Sequence, residues 1–168
     1  MMSPNGYAKY LGVKLGKGCQ LETKEFPMEG YLIEIGDYVR LAAHASIYTH
    51  GGIIPIRKYY NDPTLEQFGK VKIGSYSSIG AYAMIMPGVT IGDRCIVAGG
   101  AVVTKSVPDG CMVAGNPAKF IGYTEDFYKK IKEKYNFGCK DMSGKKKKDF
   151  LLAQPDDKFI KKGYIQVP

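Results

Sequence analysis

The sequence predicts an all-β protein, a solenoid of short flat strands turned at regular corners, and two observations carry that prediction. A branched aliphatic residue returns at every sixth position, from Ile73 through Ile79, Ile85, Ile91 and Val97 to Val103. The residue four after each is Ser77, Ala83, Val89, Cys95, Ala101 or Val107, every one small or β-branched, and turn formers such as IGSY, MPGV and IGDR fill the intervals. A period of two marks a half-buried strand and a period of 3.6 an amphipathic helix, whereas a strict six sustained this long marks a repeat architecture. Six is three alternations of a strand, so the aliphatic residue and the small residue four later point to the same side. Each hexapeptide then makes one strand and one corner, and stacked Ile and Val fill the axis.

The same register runs upstream. Leu15 and Leu21 with Cys19 give a short echo, and Ile35, Leu41 and Ile47 with Val39 and Ala45 repeat it in full. Residues 22–32 shift the phase by an amount that is not a multiple of six. Residues 51–70, GGIIPIRKYYNDPTLEQFGK, form an insertion too long for an ordinary connection, which makes them a candidate functional loop extruded from the coil. The string PDGCMVAGNPAKFIGY ends the repetition after Val107. Thr124 then resembles an N-cap, Glu125 and Asp126 stand in the first turn, and Phe127, Ile131 and Tyr135 fall at i, i+4 and i+8, so one amphipathic helix packing on the coil is expected to about Asn136. The expected organisation is a coil domain over 1–123 with its loop at 51–70, followed by a helix and a basic tail over 124–168.

Composition bounds the function. A chain of 168 residues supports one domain with a real core and a tail. Its 24 Lys and Arg against 16 Asp and Glu give a formal charge of +8, which favours anionic partners without choosing among phosphorylated cofactors, nucleotide-linked substrates, nucleic acid and membrane surfaces. Cys19, Cys95, Cys111 and Cys139 lie far apart with no C-x-x-C pair, against a zinc site or a disulfide scaffold, and reduced thiols in a cytoplasm fit that pattern. Cys95 falls at a small core position. The N-terminal MMSPNGYAKYLGV has no basic-then-apolar export signal, and no apolar run matches a bilayer's thickness.

The hexapeptide register, IYTHGG before a loop ending FGKVKIG, and AVVTKSVPDGCMVAGNPAKFIG together make the chain resemble the hexapeptide-repeat acyltransferases, over roughly residues 11–123. The last string is similar to the terminal coil of the sugar and polysaccharide O-acetyltransferase branch. The resemblance implies a left-handed parallel β-helix, a homotrimer with sites between neighbouring coils, acetyl-CoA as cosubstrate, and no metal. It implies that His50, just before the extruded loop, is the general base. An alcohol or amine attacking a thioester must lose a proton, and a free imidazole with a pKa of about 6.5 accepts one at neutral pH. His50 is followed by Gly51 where polysaccharide-type members commonly carry Asp, and in maltose-type members the histidine sits two residues further along.

The resemblance also places Ala83 and Ala101 where backbone groups would pair with the pantetheine amides, and Lys105, Ser106 and Lys119 near the adenine and phosphate end. Glu22 and Glu34, on neighbouring coils, are candidates to orient the His50 ring or meet the acceptor. His44, the only other histidine, stands six residues earlier, where a surface role competes with a place in a neighbouring subunit's site. Tyr59 and Tyr60 divide between loop packing and contact with an acceptor sugar.

The expected activity is transfer of an acetyl group to a hydroxyl of a sugar, nucleotide-linked or part of a surface-polysaccharide precursor. The alternatives are N-transfer to an amino sugar with the same base, and a non-catalytic assembly module. A carbonic anhydrase of this architecture needs three histidines per zinc and the chain has two. Serine acetyltransferases carry an N-terminal helical domain for which these residues leave no room. A nucleic-acid partner is not expected, because the lysines concentrate in the tail without an aromatic-interleaved basic motif. Lys145–Lys148 reads first as a solvated run, with attraction to CoA phosphates or to an anionic membrane surface as the lesser reading.

Overall fold

The computed structural model describes residues 2–166, and these fall into two compact units that divide between Thr124 and Glu125. In the first unit the strands stack into three parallel sheets. One holds Lys14–Leu15, Ile33–Ile35, Val71–Ile73 and Thr90–Ile91. The second holds Gln20–Leu21, Arg40–Leu41, Ser78–Ile79, Ile96–Val97 and Cys111–Ala114, closed at its end by the antiparallel strand Lys119–Tyr123. The third holds Ser46–Ile47, Met84–Ile85 and Val102–Val103.

The register confirms the period of six. Ile73 pairs with Ile91, Ile79 with Val97 and Ile85 with Val103, each eighteen residues on, so three hexapeptides complete one coil. Ile35 pairs with Ile73 and Ile47 with Ile85 at thirty-eight, one coil plus the twenty residues of the extruded loop. Leu15 pairs with Ile35 at twenty, which is the phase slip at residues 22–32. All six aliphatic positions from Ile73 to Val103 are 0–1% exposed, and Ser77, Ala83, Val89, Cys95 and Ala101 are buried with them. Burial pushes the Cys95 thiol up, which suits an inert core residue.

The corners follow from their residues. At one edge the backbone N–H groups of Lys17, Asp37, Ser75 and Asp93 donate in turn to Asp37 Oδ1, Ser75 Oγ, Asp93 Oδ1 and Asp109 Oδ1, so each coil's corner is capped by the next. Left-handed backbone recurs there, at Gly18, Tyr38, Tyr76, Arg94 and Gly110. At Gly18, with φ 67°, a Cβ would run into the Tyr38 ring, so glycine suits this corner where a side chain would have to displace that ring.

The sequence reading missed two helices of this unit. Pro4–Tyr10 is capped by the Ser3 hydroxyl, which accepts from the Gly6 N–H, and it buries Ala8 completely. Asn5 also covers the edge of the first coil, donating to the Cys19 carbonyl at 2.9 Å and accepting from the Leu21 N–H at 3.3 Å. Its signals, Ser3 then Pro4, were legible. The second, Ile54–Tyr59, lies inside the extruded loop and buries no residue, so it shows no core-facing stripe to read.

In the second unit, the helix Thr124–Lys130 starts at the boundary, continues as a π turn over Ile131–Tyr135 and ends at Asn136. Lys129 binds Glu125 at 2.8 Å; this holds the Glu125 carboxyl below its ordinary range and raises the Lys129 ammonium. Phe127 is exposed, while Ile131 and Tyr135 are half-buried. A further helix, Gly144–Leu152, forms within the stretch expected as a basic tail. Among the described residues no helix is long and apolar enough to cross a membrane.

Candidate active site

His50 stands where the third sheet ends and the extruded loop leaves. An antiparallel bridge joins it to Phe68, and the Gly69 N–H donates to the Thr49 carbonyl at 2.7 Å, so the loop is closed at its base and His50 sits on fixed backbone. Its Nδ1 lies 3.2 Å from Glu29 Oε2, and the Thr49 hydroxyl donates to the same oxygen at 3.3 Å. Thr49 is fully buried and the Glu29 side chain is 21% exposed, against 49% for the histidine, so a rooted carboxylate holds a more open ring. An ionised carboxylate only accepts, so Nδ1 carries the proton in the neutral ring and Nε2 carries the free lone pair. The edge of Phe68 meets the ring at 5.8 Å and 71°, which fixes its plane further.

Around this pair lies a cavity of about 150 Å³ whose walls include Glu29, His50, Ile54, Arg57, Gln67 and Phe68. Arg57 binds Glu66 at 2.9 Å across the two arms of the loop. The walls thus combine a proton acceptor, hydrogen-bonding groups and an apolar face. That combination suits a polar acceptor with a hydroxyl to be deprotonated.

The expected orienting carboxylates are elsewhere. Glu22 accepts three hydrogen bonds from Arg40 at 2.9–3.1 Å, and Glu34 is 3.5 Å from Lys72, so both are held on outer coil faces by neighbouring cations. The residue on His50 is Glu29, from the segment that breaks the hexapeptide phase. That break, in an acid-bearing stretch about one coil before His50, was the signal available.

His44 does not join the cavity. It sits at a corner with φ 59°, stacks on Tyr82 at 4.8 Å and 18°, and has Nδ1 3.0 Å from Glu25 Oε1. The Ser46 hydroxyl donates to the other Glu25 oxygen at 2.8 Å, and that bond, then the histidine, keeps the Glu25 carboxyl below its usual range. Tyr59 and Tyr60 pack against each other at 4.9 Å, both exposed, and neither lines the His50 cavity. The loop residues that do line it include Ile54, Arg57, Glu66, Gln67 and Phe68, which sequence reasoning passed over.

Lys105 and Ser106 edge a second cavity of about 350 Å³ with an apolar floor that includes Val107, Phe120 and Tyr123. The Ser106 hydroxyl also accepts from the Thr90 N–H at 3.0 Å. Lys119 is exposed on the closing hairpin and is not among the lining residues. Ala83 and Ala101 are completely buried, and their backbone groups are engaged within the coil. Their N–H groups donate to Gly80 and Ala98, and their carbonyls accept from Ser46 and Met84. A pantetheine amide N–H would meet the second lone pair of each carbonyl. Among the described residues no cluster of His, Cys, Asp and Glu has a metal-binding arrangement.

A coil of hexapeptides bearing a carboxylate-held histidine beside an extruded loop defines an acyl-transfer scaffold, and comparison with known proteins places it. A family profile described as bacterial transferase hexapeptide (six repeats) matches residues 70–105. Protein CapG of Staphylococcus aureus is 39% identical over 146 residues, 84% of this chain and 83% of its own. Putative acetyltransferase YvoF of Bacillus subtilis is 33% identical over 129 residues, 76% of this chain and 70% of its own. Several further putative acetyltransferases of Staphylococcus aureus match over 54% of their length. Among solved structures, a maltose O-acetyltransferase from Clostridium difficile is 27% identical with a TM-score of 0.52, covering 69% of this chain and 72% of that one. A hexapeptide-repeat acetyltransferase from Vibrio cholerae, solved with acetyl coenzyme A, is 26% identical with a TM-score of 0.52, over 67% of this chain and 60% of that one. The chain belongs to the hexapeptide-repeat acetyltransferase family and is an acyltransferase, and a left-handed sense of the coil goes with that membership.

Proposed function

We propose that the protein transfers an acetyl group from acetyl-CoA to a sugar hydroxyl, with His50 as general base and Glu29 as the residue that positions it. The observation that carries the reading is the Glu29–His50 contact at the mouth of the loop cavity, with Nδ1 engaged and Nε2 free. The solved relatives named for maltose O-acetylation and for bound acetyl coenzyme A support the choice of acceptor class and cosubstrate. Acetyl-CoA supplies the activated thioester. His50 Nε2 takes the acceptor's hydroxyl proton as its oxygen forms the new ester bond, and returns that proton to the sulfur as the carbon–sulfur bond breaks. Glu29 keeps the tautomer and stabilises the imidazolium that forms between those steps. The Lys105 and Ser106 cavity, with cationic and hydroxyl groups above an apolar floor, fits the nucleotide end of the cosubstrate, and Lys119, on the strand that carries Phe120 and Tyr123 of that floor, is assigned to the same end.

The test is release of CoA thiol in the presence of a panel of hexoses, amino sugars and nucleotide sugars. Acceptor-dependent release with an O-acetylated product supports the reading, and release only with amino sugars would replace it by N-transfer. Glu29→Gln is expected to lower kcat by about ten- to a hundredfold with both KM values and the melting temperature little changed. A variant whose KM rises while kcat holds would give Glu29 a binding role instead.

The outward residues of the sheets support a homotrimer. The first sheet presents Lys14, Glu34, Lys72 and Thr90, whereas the third presents Met84 and Val102 beside a buried Ser46, with Tyr48 directly after its first strand; Met84 and Tyr48 are 42% and 40% exposed. An apolar face on a charged coil suits a subunit interface. Light scattering should give three times 18.5 kDa, and Met84→Lys should move the mass towards the monomer. A monomeric wild-type protein would remove any site shared between subunits.

A further inference from the structure

We propose that the C-terminal unit docks the enzyme on an anionic lipid surface. Twelve of the chain's 24 Lys and Arg lie in residues 125–168, against seven of its 16 Asp and Glu, so about a quarter of the chain carries half of its cations. The helix Gly144–Leu152 opens on Lys145, Lys146, Lys147 and Lys148 and closes on Phe150, Leu151 and Leu152. Among the described residues none of those four lysines forms an ion pair. Apolar side chains of the same unit are also left in water: Leu152 is 75% exposed, Tyr164 and Ile165 at least 90%, and Ile160 lies exposed beside Lys161 and Lys162.

Unpaired cations interspersed with exposed apolar groups fit one kind of surface better than another. A second copy of the chain would offer apolar contact but would bring the same excess of lysines, which like-charge repulsion opposes. An anionic bilayer takes both features at once, with ammonium groups at the lipid phosphates and Leu, Ile and Tyr side chains at the headgroup boundary. No helix of the described residues is long and apolar enough to span, so the contact is interfacial. Each lysine near such a surface raises partition by about fivefold, so four together outweigh a weak apolar anchor.

The experiment is co-sedimentation of the full-length protein with vesicles of phosphatidylcholine alone or of equal parts phosphatidylcholine and phosphatidylglycerol, at low and high salt. The protein should partition onto the mixed vesicles, less so as salt rises. Replacing Lys145 to Lys148 together by Gln should weaken partition by more than tenfold. The pair Leu152→Ser and Ile165→Ser should weaken it less. Both variants should keep their melting temperature and their turnover of a soluble acceptor, since none of these residues belongs to the transfer site. Equal binding to neutral vesicles, no binding at low salt, or undiminished binding by the Lys→Gln variant would overturn the proposal. So would a Leu152→Ser/Ile165→Ser variant that loses mass in solution while binding vesicles as before, since the apolar groups would then belong to a subunit contact.

Discussion

Replacing His50 by alanine is expected to lower kcat by about a hundred- to ten-thousandfold, the range a positioned general base supplies. Acetyl-CoA binding should stay nearly unchanged. The substitution removes a proton acceptor at the mouth of the loop cavity, while Lys105 and Ser106, assigned to the nucleotide end, line a different cavity. The ring carries little of the fold, because its side chain is half exposed and the loop base is held by the backbone bond from Gly69 to Thr49. A steady-state comparison alongside thermal melts separates these effects. Turnover within a factor of two of wild type in a folded variant would remove His50 from the mechanism, and with it the reason to assign Glu29 a role.

Ile85→Asp should prevent folding. Ile85 is completely buried and stacks in register between Ile47 of the coil before and Val103 of the coil after. A carboxylate there loses its hydration and meets only hydrocarbon, and it also forfeits the apolar transfer of the isoleucine. The two effects together exceed about 4 kcal/mol, a large part of the 5–15 kcal/mol by which a domain is stable. Ile85→Val, which keeps shape and polarity, should cost only about 0.5–1.5 kcal/mol. Circular dichroism and a melt decide the matter. A soluble Asp variant with a cooperative transition near that of wild type would contradict the register of the whole coil.

Why the coil was readable and the positioning carboxylate was not is a matter of which contacts repeat. Ile79 and Val97 meet because each hexapeptide repeats the same turn, so burial leaves a local periodic trace in the sequence. The loop was legible as the one long break in that period, and His50 by its place before the break. Glu29 has no such trace. Its partner is twenty-one residues away, reached by an arch whose path depends on the first coil packing under the second, and a carboxylate chosen by coil register falls instead on Glu22 or Glu34, where Arg40 and Lys72 hold it. Tyr59 and Tyr60 drew attention as aromatics, yet the helix Ile54–Tyr59 turns Arg57 to the cavity and leaves both tyrosines outside it. A short helix without a buried residue has no hydrophobic stripe from which that phase could be read.

Calorimetric titration of acetyl-CoA into the full-length protein tests the central claim without any assumption about the acceptor. The account predicts saturable binding in the micromolar to sub-millimolar range at one site per chain, retained by His50→Ala. A folded protein of trimeric mass that evolves no heat of binding would contradict it and leave the coil as an assembly module.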